Sequence, residues 1–393
     1  MKCPQDIRWI CGEIWTEQGS SSGCIDVLTG ELTDKTTGNT LDLTHTTLII
    51  FPGYADIHVH LRGLNQSYKE DEYTGTKAAA SQGITFLADM PNTSPRLDTP
   101  EALDLKLKAI KGKAQIPVKP YAAVPQNPET VEKLAKRNIA GFKIYPSDLE
   151  KREASIKKIL ETGKLVVLHP ELPEADRLEA ENISQRGTIR GCHLEGAAVE
   201  ILASLSDNKP SKIHITHASC PETVMKAKTY GLTVDVAPHH IIYNYDQHLD
   251  NSLYKVNPPL RSMLDSHELL QLIIEGRIDV IASDHAPHAE WEKSVPLSSR
   301  PGIPWLEAWP SILRRILVKP GALSEQEFFE LTVWNPRKLI EVNTWETIVV
   351  YDPYYQGRYT GSKYSKAIPY YHYMFEYYGE ARCVYWKGRL VYG

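Results

Sequence analysis

No uninterrupted apolar run in the 393 residues approaches the roughly 18 that a membrane span needs. The start, Met1-Lys2-Cys3-Pro4-Gln5-Asp6, lacks the apolar stretch of a secretory leader. There is no G-x-G-x-x-G turn, the usual sign of an open dinucleotide-binding sheet. Nor is there an excess of positive charge. Lys and Arg total 44 against 49 for Asp and Glu, a formal charge of −5, which argues against a nucleic-acid partner. Six cysteines are scattered without a C-x-x-C pair. Reduced thiols in a cytosolic protein are therefore the expectation, with Cys192 and Cys220 serving only in packing. What is present is 42 % hydrophobic and 24 % charged residues, the make-up of a globular chain able to bury a full core.

Residues 1–50 read as short strands and turns, with turns placed at Ser20-Ser21-Ser22-Gly23 and at Gly30-Glu31-Leu32-Thr33. From residue 51 short apolar strands alternate with amphipathic stretches. The strands are expected at 51–61, 83–90, 118–124, 139–146, 164–170, 212–219, 232–240 and 279–285. Helices are expected at 99–111, 128–137, 149–162, 191–206, 221–230 and 265–277. Thr99-Pro100 and Asn127-Pro128 supply caps with an early proline, and Gly163, Gly231 and Gly276 fall where helices should stop. Eight strand–helix units spell a (β/α)8 TIM barrel over 51–340. Residues 341–393 return to strand texture and hold twelve of the 21 tyrosines. A small β-domain built from both chain ends, 1–50 and 341–393, is the expected companion of the barrel.

The chemistry begins at Asp56-Ile57-His58-Val59-His60. Residues i and i+2 of a strand point the same way, so His58 and His60 aim two imidazoles at one point, as a metal-ligand pair would. Lys143, His169, His217 and Asp284 each stand near the carboxyl end of another apolar strand. That is the barrel face where active sites are built. Lys143 is an awkward neighbour for divalent cations while charged. A buried lysine can lose its proton, and the neutral amine can add carbon dioxide to become a carbamate, a carboxylate-like bridge between two metals. His193, His239, His240, His248 and Asp235 have no assigned role.

The motifs FPGYADIHVHLR, ADMPNT, GFKIYP, VVLHPE, HITHAS, VAPHH, KVNPPLRS and IASDHAPH together resemble the dihydroorotases of the amidohydrolase superfamily. The resemblance runs from about 51 to 290 and more weakly to about 340. It implies a reversible hydrolysis of a cyclic amide, the closure of N-carbamoyl-L-aspartate to L-dihydroorotate in pyrimidine synthesis. It implies two divalent metal ions, for which these ligands suit Zn2+. His58 and His60 would hold one ion with Asp284, His169 and His217 the other, and Lys143 would bridge them as its carbamate. Asp284 would also take and return the proton. Arg62, Asn92 and His288 would grip the substrate carboxylate, and Asn257 would meet the ring. Some members carry aspartate at the place of Lys143, so the carbamate belongs to the lysine-bearing type.

Two alternatives accompany this reading. Hydantoinase, dihydropyrimidinase or allantoinase would share the metal site without needing a carboxylate clamp. An inactive dihydroorotase-like scaffold for aspartate transcarbamoylase would have lost metal ligands, whereas here all six positions are filled. The expected partner is a small-molecule substrate, with neither nucleic acid nor membrane. Homo-oligomerisation and association with aspartate transcarbamoylase stay open.

Overall fold

A computed structural model describes residues 3–34, 36–206, 209, 211–247, 252–294, 299–367 and 375–393. Its centre is a ring of eight parallel strand segments. They are Tyr54–Val59, Ile84–Asp89, Val118–Pro120 continued by Ala122–Ala123, Phe142–Ile144, Val166–Leu168, Ile213–Ile215, Thr233–Val236 and Val280–Ile281. Each pairs in parallel with the next. The ring closes where Val59 bridges His285 and the His60 N–H donates to the His285 carbonyl at 2.8 Å. The Asp56 carboxylate secures the same seam by accepting from the backbone N–H of His58 and of Ser283. The strands are buried on both faces, as the near-continuous apolar runs require.

The helices start and stop for local reasons visible in the sequence. Thr99 caps the helix Pro100–Lys113 through the Ala102 N–H, and Asn127 caps the turn that leads into Val131–Ala135. Gly163, Gly231 and Gly276 end their helices with φ of 73°, 68° and 68°, a region costly for side-chain-bearing residues.

A second sheet joins the two chain ends. Its order is Arg389–Tyr392, Glu376–Trp386, Thr347–Arg358, Ile49–Phe51, Trp9–Thr16, Gly19–Asp26, Leu32–Thr33, with Thr40–Asp42 beside Trp9–Thr16. Phe51 anchors it to the barrel helices by stacking on Phe329 at 4.8 Å. We propose that this sheet is the core of a small β-domain of residues 1–50 and 341–393, beside a barrel of 51–340.

Several expectations need correction. Ser20–Gly23 is not a turn but part of the strand Gly19–Asp26, paired residue by residue with Trp9–Thr16. The turn lies at Glu17-Gln18. The seventh strand ends at Val236, and Pro238–Ile242 forms a short helix, because proline at its first turn suits a helix start. The helix Glu72–Ser81 was not expected, since its small residues are buried nearly all round and give no amphipathic stripe.

The six cysteines are not reduced thiols. They form Cys3–Cys383, Cys11–Cys24 and Cys192–Cys220, leaving no free cysteine. Cys192 and Cys220 are therefore cross-linked rather than merely packed. Cys11 and Cys24 face each other across the hairpin of Trp9–Thr16 and Gly19–Asp26, whereas the partners separated by 380 and 28 positions meet only through tertiary structure. With the thiols paired, cysteine usage no longer points to a reducing compartment. No helix among the described residues is long and apolar enough to cross a membrane.

Candidate active site

The first barrel strand delivers His58 and His60 to the carboxyl end of the ring, and the loop after the eighth strand delivers Asp284. The Nε2 atoms of the two histidines lie 3.2 and 3.3 Å from Asp284 Oδ1. This trio forms a buried group able to hold a metal ion. The fifth and sixth strands add His169 and His217, whose ring centres are 4.5 Å apart, and His217 lies 4.9 Å from His58. Lys143, on the fourth strand, is fully buried beneath them, and its charge acts on His58, His217 and Asp284. Thus all six residues singled out as ligands converge.

Hydrogen bonds decide which face each imidazole offers. His58 Nδ1 lies 2.5 Å from the Thr216 hydroxyl, which donates onward to Asp235 at 2.8 Å. With its hydrogen committed to the carboxylate, that hydroxyl accepts, so His58 carries its proton on Nδ1 and leaves the Nε2 lone pair free. His60 Nδ1 donates to Asn92 Oδ1 at 2.7 Å with the same result. His169 does the reverse, donating from Nε2 to Glu171 at 2.8 Å. Glu171 is itself gripped by Arg190 at 2.9 and 2.6 Å. Such outer partners fix ring orientation and raise ligand basicity. Asp235, without a role on sequence grounds, also accepts from His214 at 2.7 Å and from the His217 backbone N–H at 2.6 Å. It is the hub beneath the site.

The cluster fits divalent ions on its own chemistry. Lys143 Nζ and His217 Nδ1 are buried without a hydrogen-bond partner, an expensive arrangement unless something binds there. Burial pushes the Lys143 ammonium down to about 7 and the Asp284 carboxyl up to about 7. Burial likewise holds His58, His60 and His217 well below the usual histidine range, so they stand neutral as ligands must. Arg62, His217 and Asp284 adopt φ of 58°, 38° and 46°, which costs of order 1–3 kcal/mol each for residues with side chains. Specific contacts hold two of them: Asp235 on the His217 N–H, and buried Lys106 on the Arg62 carbonyl at 3.1 Å. Lys106 is itself clamped between Glu72 and Asp89 at 2.8 and 2.6 Å.

A cavity of about 210 Å³ opens over the histidines, lined also by Arg62, Asn92, Tyr145 and Asn257. Because its Oδ1 is occupied by His60, Asn92 can present only its amide N–H groups to that space. His288 does not line the cavity. Its Nε2 lies 3.0 Å from the Pro301 carbonyl and 3.2 Å from Arg62 Nη2, and its Nδ1 faces Lys69 and Glu292. Both of its ring nitrogens lie within hydrogen-bond distance of protein groups, and the ring packs beside the Arg62 guanidinium. Asn257 takes its place in the lining, its oxygen bonded to Arg186. His239 and His240 lie below the site, His239 accepting from Trp305 at 3.2 Å and His240 donating to the Pro258 carbonyl at 3.1 Å. His248 lies outside the described residues.

Residues 47–158 match the family model described as dihydro-orotase-like. A dihydroorotase of Aeropyrum pernix is 45 % identical over 77 % of this chain and 72 % of its own length. One of Saccharolobus solfataricus is 37 % identical over 75 % and 70 %. Among solved structures, the L-hydantoinase (dihydropyrimidinase) of Arthrobacter aurescens superposes with a TM-score of 0.86. It covers 98 % of this chain and 95 % of its own at 20 % identity, a likeness of fold alone.

Proposed function

The chain belongs to the dihydroorotase family, and from that membership we propose how its own residues carry the reaction. It is a cyclic-amide hydrolase that interconverts L-dihydroorotate and N-carbamoyl-L-aspartate, a step of pyrimidine biosynthesis. The observation that carries the assignment of roles is the convergence of four histidines and one aspartate on a single cavity, with a partnerless lysine buried beside them.

His58, His60 and Asp284 would hold one divalent ion and His169 and His217 a second, with Lys143 between them as its carbamate. Zn2+ is the proposed metal, because neutral imidazole and carboxylate donors suit it. When bound, such ions make water a nucleophile at neutral pH and polarise the amide carbonyl. Asp284 takes the proton as the amide is attacked and returns it to the leaving nitrogen, a base and then an acid in one site. Arg62 and the Asn92 amide grip the carboxylate that never reacts, and so hold the ring amide over the metal centre.

Turnover of dihydroorotate, compared with hydantoin and allantoin, tests the substrate directly. Activity confined to hydantoin or allantoin, cyclic substrates without a ring carboxylate, would overturn the assignment. Arg62→Ala should raise the Michaelis constants for dihydroorotate and carbamoyl-aspartate by more than about 10-fold, the loss of a charge-assisted pair. Metal content should stay unchanged, as measured by elemental analysis. Unchanged Michaelis constants would remove the clamp.

A further inference from the structure

Three buried arginines stand behind the cavity wall formed by Asn257. Arg190 is paired with Glu171 and Arg261 with Glu195. Arg186 differs. It is 8 % exposed, and no carboxylate lies within ion-pair distance of it among the described residues. Its Nη2 donates to Asn257 Oδ1, and its Nη1 is buried without a partner. Burial and the positive charge of Arg190 pull its pKa down to about 9, so it remains a cation at neutral pH.

The direction of the bond to Asn257 is settled by chemistry. A guanidinium has only donors, so the atom facing it must be the amide oxygen. Both Asn257 N–H groups are then left for the cavity that the residue lines. Arg186 is also held firmly. The helix Ile183–Ile189 begins on an Asn182 cap, and Arg261 donates to the carbonyls of Gly187 and Arg190 at its far end at 2.7 and 2.6 Å. Gly187 lets that helix lie against the next segment, because a Cβ there would come within 2.5 Å of the Leu260 carbonyl oxygen.

We propose that Arg186 is a specificity-determining positioning residue: it locks Asn257 as a donor to an acceptor oxygen of the substrate, and its charge, held in no direct ion pair among the described residues, favours the more anionic, ring-opened form. The inference rests on the dihydroorotase reading. Dihydroorotate carries one carboxylate, while carbamoyl-aspartate carries two. A buried positive charge with no carboxylate in direct contact discriminates between a monoanion and a dianion, whereas a neutral hydrogen bond to a carbonyl serves both.

The test is Arg186→Met, Arg186→Lys, Asn257→Ala and the double variant Arg186→Met/Asn257→Ala, each assayed in both directions with far-UV circular dichroism and metal content as controls. Because the reaction's equilibrium constant fixes the ratio of kcat/KM in the two directions, both kcat/KM values must fall by the same factor. Discrimination therefore appears in KM. Arg186→Met should raise KM for carbamoyl-aspartate about 10-fold or more, and for dihydroorotate only about 3-fold. Arg186→Lys, which keeps the charge, should restore the ratio of the two KM values. The double variant should be far less impaired than the product of the single effects, since removing Arg186 has already freed the Asn257 amide. Equal KM increases in both directions, or multiplicative effects in the double variant, would overturn the proposal. If the wild-type enzyme failed to turn over either substrate, the family reading itself would fall, and the two failures are distinct.

Discussion

Asp284→Asn is expected to lose at least about 10²-fold in turnover in both directions, because an amide can neither accept nor return the proton of the reaction. The substitution is close to isosteric. Asp284 sits at a strand end with φ of 46°, a region that asparagine tolerates better than most residues. Folding should therefore survive. Since Oδ1 faces His58 and His60, affinity for the first metal ion should also weaken. The assay must be run at saturating metal to separate the two effects. A variant that regains wild-type turnover once saturated would show that Asp284 serves only as a ligand. One that stays at or below about one hundredth of wild type supports the proton-transfer role.

Loss of the Cys3–Cys383 bond should be the largest single blow to stability. It closes a loop of 380 residues, so the chain-entropy model assigns it about 6 kcal/mol, against about 3 kcal/mol for the 13-residue Cys11–Cys24 loop. With an unfolding entropy near 2.1 cal/mol/K per residue, Cys3→Ser combined with Cys383→Ser should lower Tm by about 7 °C. Cys11→Ser with Cys24→Ser should lower it by about half as much. Cys11, Cys24 and Cys383 lie in the sheet made from the chain ends and Cys3 is tied to it, away from the barrel's cavity, so turnover at 25 °C should not change. Calorimetry of the two double variants checks the ranking. A Cys3/Cys383 variant that melts with the wild type would mean that the sheet alone holds the termini together.

The parts of the site legible in the sequence are those in which a polar residue interrupts an apolar strand. His58 and Lys143 stand within barrel strands and His60, His169, His217 and Asp284 just past the carboxyl ends of theirs, and the parallel ring brings those ends to one level. What could not be read depends on contacts between remote positions. His58 finds Thr216 at a separation of 158, and Arg186 finds Asn257 at 71. The helix that carries Arg186 lies in a stretch without a clear apolar period, and Asp235 looked like any buried aspartate. His288 was legible as part of a motif, but its engagement by Pro301 and Lys69 was not. The barrel was legible for a similar reason to the ligands. Its strands are short apolar runs bounded by caps and glycines, whereas Glu72–Ser81, whose buried positions are mostly small or polar, carries no apolar period to find.

The sharpest question is whether Lys143 enters the site as a carbamate. Its amine is buried, partnerless and neutral in an appreciable fraction near pH 7, because burial has brought its pKa down to about 7. The neutral form grows as pH rises through that value, so at a fixed concentration of dissolved carbon dioxide its addition should speed up from pH 6 to pH 8. The direct measurement is a 13C NMR spectrum of the metal-loaded enzyme equilibrated with 13C-bicarbonate at pH 8, recorded beside Lys143→Arg. One protein-bound carbamate resonance in the wild type, absent from the variant, is the expected result. A fully active, metal-loaded wild-type enzyme without that resonance would contradict the bridge.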